Sequence, residues 1–213
     1  MKYSIILLLL LFPVFTVSAQ NNNDIPLSKH PETLNVDVMK AFEQRQTIRN
    51  YTNQKLSKKD LSLILWAANG INRPSGKRTA PTAHGIQYIN IYVTGDDGNY
   101  FYDAINNRLV FKNDQKTKNK IANQNHVREA SHVIILTADL KRVPGLMSNR
   151  ANKLKWAYIT AGTIAQNIYL MSAAKGIGTC LVGGINARNI QQILGLSDTE
   201  IPILVMPLGY PGK

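Results

Sequence analysis

The spacing of apolar residues changes along the chain, and it predicts five helical segments. Intervals of three and four residues are clearest in residues 56–70 and 151–175. In the first of these, Ser57 and Asp60 form a capping box ahead of the apolar run, and Gly70 is expected to end the helix in the left-handed conformation. Shorter helices are predicted at residues 37–46, in part of 115–130, and at 186–195, where Asn186 is the expected cap and Gly195 the expected stop.

Strands are predicted where apolar and polar residues alternate or where a short apolar run is bounded by turn residues. Residues 87–94, QYINIYVT, alternate with a period of two, and residues 131–139 form an apolar run typical of a buried strand. Further strands are expected at 99–104, at 108–112 and from 202 onward, with a strand or loop at 176–185. Because the order lacks a regular strand–helix–strand repeat, the pattern indicates an α+β fold.

The first 19 residues have the layout of a secretory signal peptide. Lys2 precedes an apolar run, and the small residues Ser18 and Ala19 offer a cleavage site. An uncleaved membrane anchor is the alternative. We expect a signal peptide at 1–19, a linker at 20–34 and one folded domain at 35–213. The protein is then exported, periplasmic or secreted, with no membrane contact after cleavage.

Composition limits the classes of partner. The formal net charge is +12, which suits nucleic acid, acidic lipid or an anionic ligand. The basic residues are scattered, and their densest stretch, residues 112–120, contains no aromatic side chain on which a base could stack. We therefore expect no nucleic-acid partner. The single cysteine, Cys180, excludes an internal disulfide and lies in an apolar run, where it is expected to be buried.

The stretch RQTIRNY, residues 45–51, places Arg45 and Arg49 four residues apart around Thr47. If the preceding helix continues through them, both arginines lie on one face. They then form either a solvated helix end or a phosphate site, because guanidinium groups donate paired hydrogen bonds to phosphate oxygens. No histidine has the spacing of a metal ligand set, and no metal site is expected.

Four segments in order resemble the FMN-dependent nitroreductase superfamily. They are RQTIRNY, then residues 56–74 with TAPTAHG at 79–85, then residues 161–185, then LVMPLGYP at 204–211. The second and third segments are most similar to the branch of thiazoline-forming dehydrogenases. The resemblance implies a central, mostly antiparallel sheet flanked by helices. It also implies an intertwined homodimer that holds FMN in clefts between the subunits.

The resemblance also implies which residues bind the cofactor. The phosphate and nearby flavin groups are expected at Arg45, Gln46, Thr47 and Arg49, with Lys213 as a further cation. The loop that reaches the flavin of the partner subunit corresponds to Pro81, Thr82, Ala83 and His84. The reactive edge of the flavin is expected along Val182, Gly183 and Gly184, since glycine lets a backbone approach a planar ring.

The implied activity is that of an oxidoreductase acting on a small-molecule substrate. Hydride would pass through flavin N5 in a ping-pong reaction, from NADH, NADPH or an organic donor, with no protein side chain acting as the catalytic group. Two alternatives remain open. One is a flavin-dependent dehydrogenase that oxidises an organic substrate with oxygen as acceptor, and the other is a non-catalytic flavin-binding or anion-binding module.

Overall fold

The computed structural model describes residues 23–30, 33–145 and 149–212, so the proposed signal peptide and Lys213 lie outside the described residues. Within these ranges seven strands form one sheet: β1 (Ile25–Pro26), β2 (Ile89–Gly95), β3 (Gly98–Asp103), β4 (Arg108–Asn113), β5 (His132–Asp139), β6 (Gly178–Thr179) and β7 (Glu200–Gly209). The helices there are α1 (Val38–Gln44), α2 (Lys58–Asn69), α3 (Asn125–Glu129), α4 (Arg150–Ala174) and α5 (Ala187–Leu194). In the same ranges no helix combines the length and the apolar composition needed to cross a bilayer.

The strand order across the sheet is β1-β4-β3-β2-β5-β7-β6, and every neighbouring pair is antiparallel. Strands β2, β3 and β4 follow one another as hairpins, whereas β5 and β7 join the sheet after helical connections. This arrangement confirms the predicted α+β class and the mostly antiparallel sheet.

Both faces of the sheet are buried, as β5 shows most clearly. Ile134 and Leu136 contact the core beneath α2 and α4, while Val133 and Ile135 belong to a second core beneath α3 and α5. Side chains of a strand point alternately to the two faces, so a strand that is covered on both sides is apolar at every position. This explains why residues 131–139 form an uninterrupted apolar run in the sequence.

Helix α2 begins as predicted but ends differently. The Ser57 hydroxyl accepts the N–H of Asp60 at 3.0 Å and donates to the Asp60 carboxylate at 2.7 Å. Gly70, however, is extended (φ −76°, ψ 164°), so the prediction of a left-handed stop there is wrong. Position 70 requires glycine because it has no room for a side chain: a Cβ there would lie 2.5 Å from the Trp66 side chain.

Helix α5 confirms the local signals at both ends. The Asn186 side chain accepts the N–H of Asn189 at 3.1 Å, which satisfies a free donor of the first turn. Gly195 follows the last helical residue in the left-handed conformation, with φ of 62°.

Helix α1 is shorter than predicted and stops before the arginine pair. Arg45 is already extended (φ −62°, ψ 115°), and the N–H of Ile48 donates to the carbonyl of Thr179 at 3.0 Å. Farther along, Tyr51 forms an antiparallel bridge with Pro211. Pairing with the edge of the sheet therefore replaces the helix, and the expectation that Arg45 and Arg49 share a helical face is wrong.

The two ends of α2 contact different parts of the chain. At the N-terminal end, the Asp60 carboxylate accepts a hydrogen bond from the Tyr210 hydroxyl at 2.9 Å. The Tyr210 carbonyl in turn accepts the N–H of Thr52 at 2.9 Å. At the C-terminal end, the backbone carbonyl of Asn69 accepts a hydrogen bond from the Arg78 guanidinium at 2.9 Å. The 12 residues of α2 span about 18 Å. The arginine segment and the loop that follows α2 thus lie at opposite ends of this helix.

Candidate functional site

Tyr169 of α4 holds the arginine segment next to the chain that follows β6. The Arg45 guanidinium lies over the Tyr169 ring, with its Cζ 5.5 Å from the ring centroid. The Thr47 and Tyr169 hydroxyls are 3.4 Å apart, and the N–H of Leu181 donates to the Tyr169 hydroxyl at 2.7 Å. Two segments that the sequence proposes for one cofactor site are therefore neighbours.

Arg49 lies on the side of this segment that faces α3. Burial lowers the pKa of His126, and the positive charge of Arg49 lowers this pKa further, while Glu129 raises it. The histidine is consequently neutral near pH 7 and can accept or donate one hydrogen bond with each ring nitrogen. Arg49 and His126 together offer a fixed positive charge beside a neutral polar ring.

The residues after β6 present unused backbone donors. Val182 is buried, and it exchanges hydrogen bonds with Val205 at 2.9 and 3.0 Å. Gly183 and Gly184 follow it and are exposed. Their N–H groups donate to no acceptor within the part of the chain that the structure describes. A Cβ on Gly183 would meet nothing within 4 Å, so the backbone there faces open space.

Gln124 and His126 lie near these residues, although no sequence pattern selects them. Gln124 Oε1 and His126 Nε2 are buried atoms without a hydrogen-bond partner in the described chain. An antiparallel bridge between Ala122 and Ile185 brings Gln124 beside Gly184, where a Cβ would lie 3.2 Å from the Gln124 amide nitrogen, while His126 lies within the influence of Arg49. Buried polar atoms without partners are destabilising, and a bound ligand would satisfy them. In the sequence they are two polar residues of a polar stretch, and only the tertiary bridge distinguishes them.

A cavity of about 390 Å³ opens on the other side of the arginine segment. Its lining includes Gln46, Ile48, Tyr169 and Thr179. Gln46 and Ile48 line this cavity, whereas Arg45, Thr47 and Arg49 do not, as expected for an extended chain whose successive side chains point in opposite directions. With Glu43 also in its lining, the cavity offers amide, hydroxyl, carboxylate and apolar groups, and the arginines do not line it.

The loop predicted to reach a flavin contains a strained residue and a buried hydroxyl. His84 is exposed and has φ of 55°, a region that few residues other than glycine adopt. The Thr82 hydroxyl is buried with no partner among the described residues, and Ala83 packs against the core. Pro81 is exposed. Such a conformation is typical of a binding loop held by its surroundings.

Most predicted site residues converge, but the loop at 81–84 does not join them within one chain. The segment 45–49 and residues 182–184 meet around Tyr169. The loop follows Arg78, which is tied to the last residue of α2, about 18 Å along that helix from the arginine segment. A single chain therefore holds two incomplete parts of the predicted site.

Cys180 is not placed to act as a nucleophile. It is fully buried, as the sequence predicts. Burial raises the pKa of its thiol, while a hydrogen bond to Tyr51 and the charge of Arg49 partly offset that rise. A buried thiol with a raised pKa stays protonated and unreactive. Across the described ranges, no three His, Cys, Asp or Glu side chains form a group that could hold a metal ion.

Comparison with known proteins decides the family. The sequence profile described as "Nitroreductase family" matches residues 42–210. The chain belongs to the nitroreductase family. The matched range includes the arginine segment, the loop at 81–84 and residues 182–184, so all three parts of the site lie in the nitroreductase domain. The protein is accordingly an enzyme of the oxidoreductase class.

Individual relatives and structures agree with this assignment. A Methanocaldococcus jannaschii protein named as a nitroreductase is 29% identical over 189 residues, covering 84% of this chain and 93% of its own length. The FMN reductase (NADPH) of Bacillus subtilis is 20% identical over 193 residues, covering 83% of this chain and 67% of that protein. The crystal structure of a Ralstonia eutropha protein described as a nitroreductase has a TM-score of 0.84 and 28% identity, covering 100% of both chains. The predicted nitroreductase-like fold is thereby confirmed.

Proposed function

We propose that the protein binds FMN and catalyses hydride transfer between NADH or NADPH and a small organic acceptor. One observation carries this proposal: Tyr169 joins a segment with two arginines to a stretch whose exposed N–H groups have no acceptor in the described chain. A planar cofactor that ends in a phosphate needs both features. Two Bacillus subtilis relatives support the choice, since one is named an FMN reductase (NADPH) and the other an NAD(P)H nitroreductase.

The arginine segment fits the phosphate of FMN. Arg45 and Arg49 supply two permanent positive charges with paired N–H donors, and Thr47 adds a hydroxyl. Neither arginine forms an ion pair with a carboxylate in the described ranges, so their charges are available to a dianion. Stacking on Tyr169 orients the Arg45 guanidinium before any ligand binds.

The glycine pair and its neighbours fit the ring system. Gly183 and Gly184 allow a planar ring to approach the backbone, and their N–H groups can donate to ring heteroatoms. Gln124 and His126 offer the unpartnered polar atoms that the polar edge of an isoalloxazine would satisfy. A flavin lying here replaces orphaned polar contacts with hydrogen bonds, which favours binding.

In this proposal the protein binds and orients, and the cofactor supplies the reaction. FMN, when bound, accepts and donates hydride at N5 of its ring. The chain neutralises the phosphate with Arg45 and Arg49 and aligns the ring along Val182. With Cys180 buried and protonated, no covalent step through that thiol is part of the proposal.

We further propose that two chains form a homodimer and that the loop at 81–84 completes the site of the partner subunit. Val38, Met39 and Phe42 of α1 are 62%, 61% and 52% exposed, which is unusual for three apolar side chains on one short helix. Beside them a groove of about 380 Å³ runs between α1, α2 and α4. A second copy would cover this surface and bring its own Thr82 and His84 to the first site.

A second candidate function reverses the flow of electrons. Residues 56–74 and 161–185 resemble the thiazoline-forming dehydrogenases, in which an organic substrate is oxidised. The open space in front of Gly183 favours this reading because it leaves room for a bulky substrate. Turnover with oxygen as acceptor and without NADH or NADPH would support it, whereas flavin binding without any turnover would support a binding module.

The flavin content of arginine variants tests the proposed site. Arg45→Ala combined with Arg49→Ala removes both charges, and we expect FMN affinity to fall at least about 100-fold, since each charged hydrogen bond contributes about 1.5–3 kcal/mol. Arg73→Ala with Arg150→Ala, two exposed arginines elsewhere, is the matched control and should retain FMN. Fluorescence titration measures both affinities. Equal FMN affinity in the two double variants would contradict the phosphate assignment.

We also propose that residues 1–19 direct export and that FMN is acquired outside the cytoplasm. The charged start, the apolar run and the small residues at 17–19 support this proposal. Mass spectrometry of protein recovered from the native host should give a mature chain that begins at Gln20. An intact chain that still contains Met1 would contradict cleavage at this position.

A further inference from the structure

A second polar cavity lies away from the cofactor site, where strands β2 and β3 separate. Their pairing runs from Gly95 opposite Gly98 to Tyr92 opposite Phe101 and ends there. Before Tyr92 and after Phe101 the two strands leave a cavity of about 180 Å³. Its polar lining comprises Asn69, Arg78, Asn90, Tyr102, Asp103 and Arg142.

Arg78 is a half-buried cation in this lining without an ion pair. Its guanidinium donates to the Asn69 carbonyl at 2.9 Å, and no described carboxylate lies within 4 Å of it. Burial lowers the pKa of Arg78, and the nearby charge of Arg142 lowers it further, while Tyr102 and Asp103 raise it. A guanidinium removed from water without a counter-charge is costly, and an anion in the cavity would offset that cost.

Two further groups of the lining lack hydrogen-bond partners. The Tyr102 ring is 5% exposed, and burial raises the pKa of its phenol to about 12, so the hydroxyl remains a donor. This hydroxyl makes no hydrogen bond with any described residue, although it lies close enough to Arg78 for their charges to interact. Asn69 Oδ1 is buried and also unpartnered. The cavity therefore contains a free donor and a free acceptor beside the cation.

The other two charged groups of the lining are already paired. Asp103 accepts from the Asn106 side chain at 2.6 Å and pairs with Arg108 at 3.3 Å. Arg142 pairs with Asp139 at 3.0 Å and donates to the Asn90 side chain at 2.6 Å. Arg78 is consequently the charged group of this lining that makes no ion pair in the described chain, although the charge of Asp103 still acts on it.

We propose that this cavity binds a small organic acid that also carries a hydroxyl or amino group. The carboxylate would accept from Arg78 and from the Tyr102 hydroxyl, and the additional donor would satisfy Asn69 Oδ1. The volume corresponds to about six water molecules at roughly 30 Å³ each, which suits a ligand of about six non-hydrogen atoms. A 2-hydroxy acid of the size of lactate has that shape and these groups. This site does not depend on the proposed flavin function.

Calorimetric titration of the full chain with sodium lactate, at constant ionic strength and with FMN present, tests the proposal. The FMN occupies the other cationic site. We expect saturable binding of lactate, weaker binding of acetate, which lacks the hydroxyl, and no saturation with chloride. Arg78→Met should weaken lactate binding at least about tenfold, the loss expected for one charge-assisted hydrogen bond. Tyr102→Phe removes only a hydroxyl and should weaken binding about threefold or more.

The controls separate this cavity from the general positive charge of the protein. Lys77→Met removes a neighbouring, exposed charge that does not line the cavity, and it should bind lactate within about twofold of the unmodified protein. If Arg78→Met does not fold, Tyr102→Phe carries the test alone. The proposal is overturned if lactate and chloride behave alike, if Lys77→Met loses as much affinity as Arg78→Met, or if Tyr102→Phe binds lactate unchanged.

Discussion

The arginines of this protein differ in whether they pair with a carboxylate. Arg108 pairs with both Asp24 and Asp103, at 3.2 and 3.3 Å. Arg45 and Arg49 form no such pair in the described ranges, and one of them is stacked on an aromatic ring instead. An arginine held in place without a carboxylate is prepared for an external anion. We base the proposed phosphate site on this ring contact and on the spacing of the two arginines, because a missing carboxylate partner alone does not distinguish them from other basic residues.

His132 gives the folded protein a measurable dependence on pH. Burial lowers its pKa from 6.5 to about 4, and the charge of Lys118 contributes. Between these values the unfolded chain binds a proton that the folded chain does not. The free energy of unfolding therefore falls as the pH is lowered from 6.5 to about 4, by about 3 kcal/mol at most. Urea unfolding at pH 7.5 and 4.5 measures this loss.

The matched variant for this prediction is His132→Gln, which removes the titrating ring. Its loss of stability over the same pH range should be smaller than that of the unmodified protein by most of this amount, because the remaining groups titrate in both proteins. An identical loss in the two proteins would show that His132 is not responsible.

The sequence predicts the arginines and the glycine pair of the site but not all of its residues. Arg45 and Gly183 are selected because their segments resemble those of a known family, since a pair of arginines or of glycines alone also suits a solvated helix end or a turn. Gln124 and His126 are ordinary polar residues whose role depends on the bridge between Ala122 and Ile185. Such long-range pairing leaves no signal in the residues themselves.

At the scale of elements, two glycines of the sheet edge determine how closely the arginine segment can pack. A Cβ at Gly178 would lie 2.7 Å from the Ile48 side chain, and a Cβ at Gly209 would lie 2.8 Å from the Tyr51 ring. Both distances are too short for real atoms, so the segment fits only over bare backbone. The position of the two arginines is thus fixed by the packing of Ile48, which lies between them, and of Tyr51, which follows them.

Gly178→Ala tests this packing against Gly183→Ala. We expect Gly178→Ala to lower the free energy of unfolding by about 1–3 kcal/mol, the usual cost of overpacking, and to weaken FMN binding as the arginine segment moves. Gly183→Ala has open space and should change stability by less than about 1 kcal/mol. Thermal unfolding without FMN distinguishes the two, because Gly183 belongs to the proposed flavin site and its variant can weaken FMN binding directly. Equal stability of both variants would show that the segment does not depend on this contact.

Local signals predict the helices better than they predict the segments between them. The caps at Ser57, Asn186 and Gly195 are confirmed because each one acts within a single turn. The predicted end of α1 is wrong because Ile48 hydrogen-bonds to β6, which is more than 100 residues away in the sequence. A competition between a local helix and a distant strand is decided by tertiary packing.

The whole molecule presents an apolar surface and an incomplete site, and a homodimer would resolve both. Helix α1 exposes Val38, Met39 and Phe42, and α4 exposes Tyr158 and Ile159, at 56% and 47%. The sequence of α4 is apolar around much of its circumference, which is typical of a buried or interfacial helix. The loop at 81–84 and the arginine segment lie at opposite ends of α2 in one chain, and in the proposed dimer they meet across the interface.

Phe42→Asp tests the proposed interface. A carboxylate in the centre of an apolar contact should shift the protein from dimer to monomer, because burying an unpaired charge costs several kcal/mol. Ile105→Asp is the control, since Ile105 is 75% exposed and lies on the β3–β4 turn. Sedimentation velocity measures both states. A dimer that persists in Phe42→Asp, or a monomer in the unmodified protein, would contradict the interface.

The absorption spectrum of the purified protein after incubation with FMN and removal of free cofactor is the most direct test of a flavin enzyme. We predict a yellow protein that retains about one FMN per chain, with an absorption band that bleaches on addition of NADPH or NADH without oxygen and returns with an acceptor. A protein that emerges colourless after removal of free FMN would contradict the account.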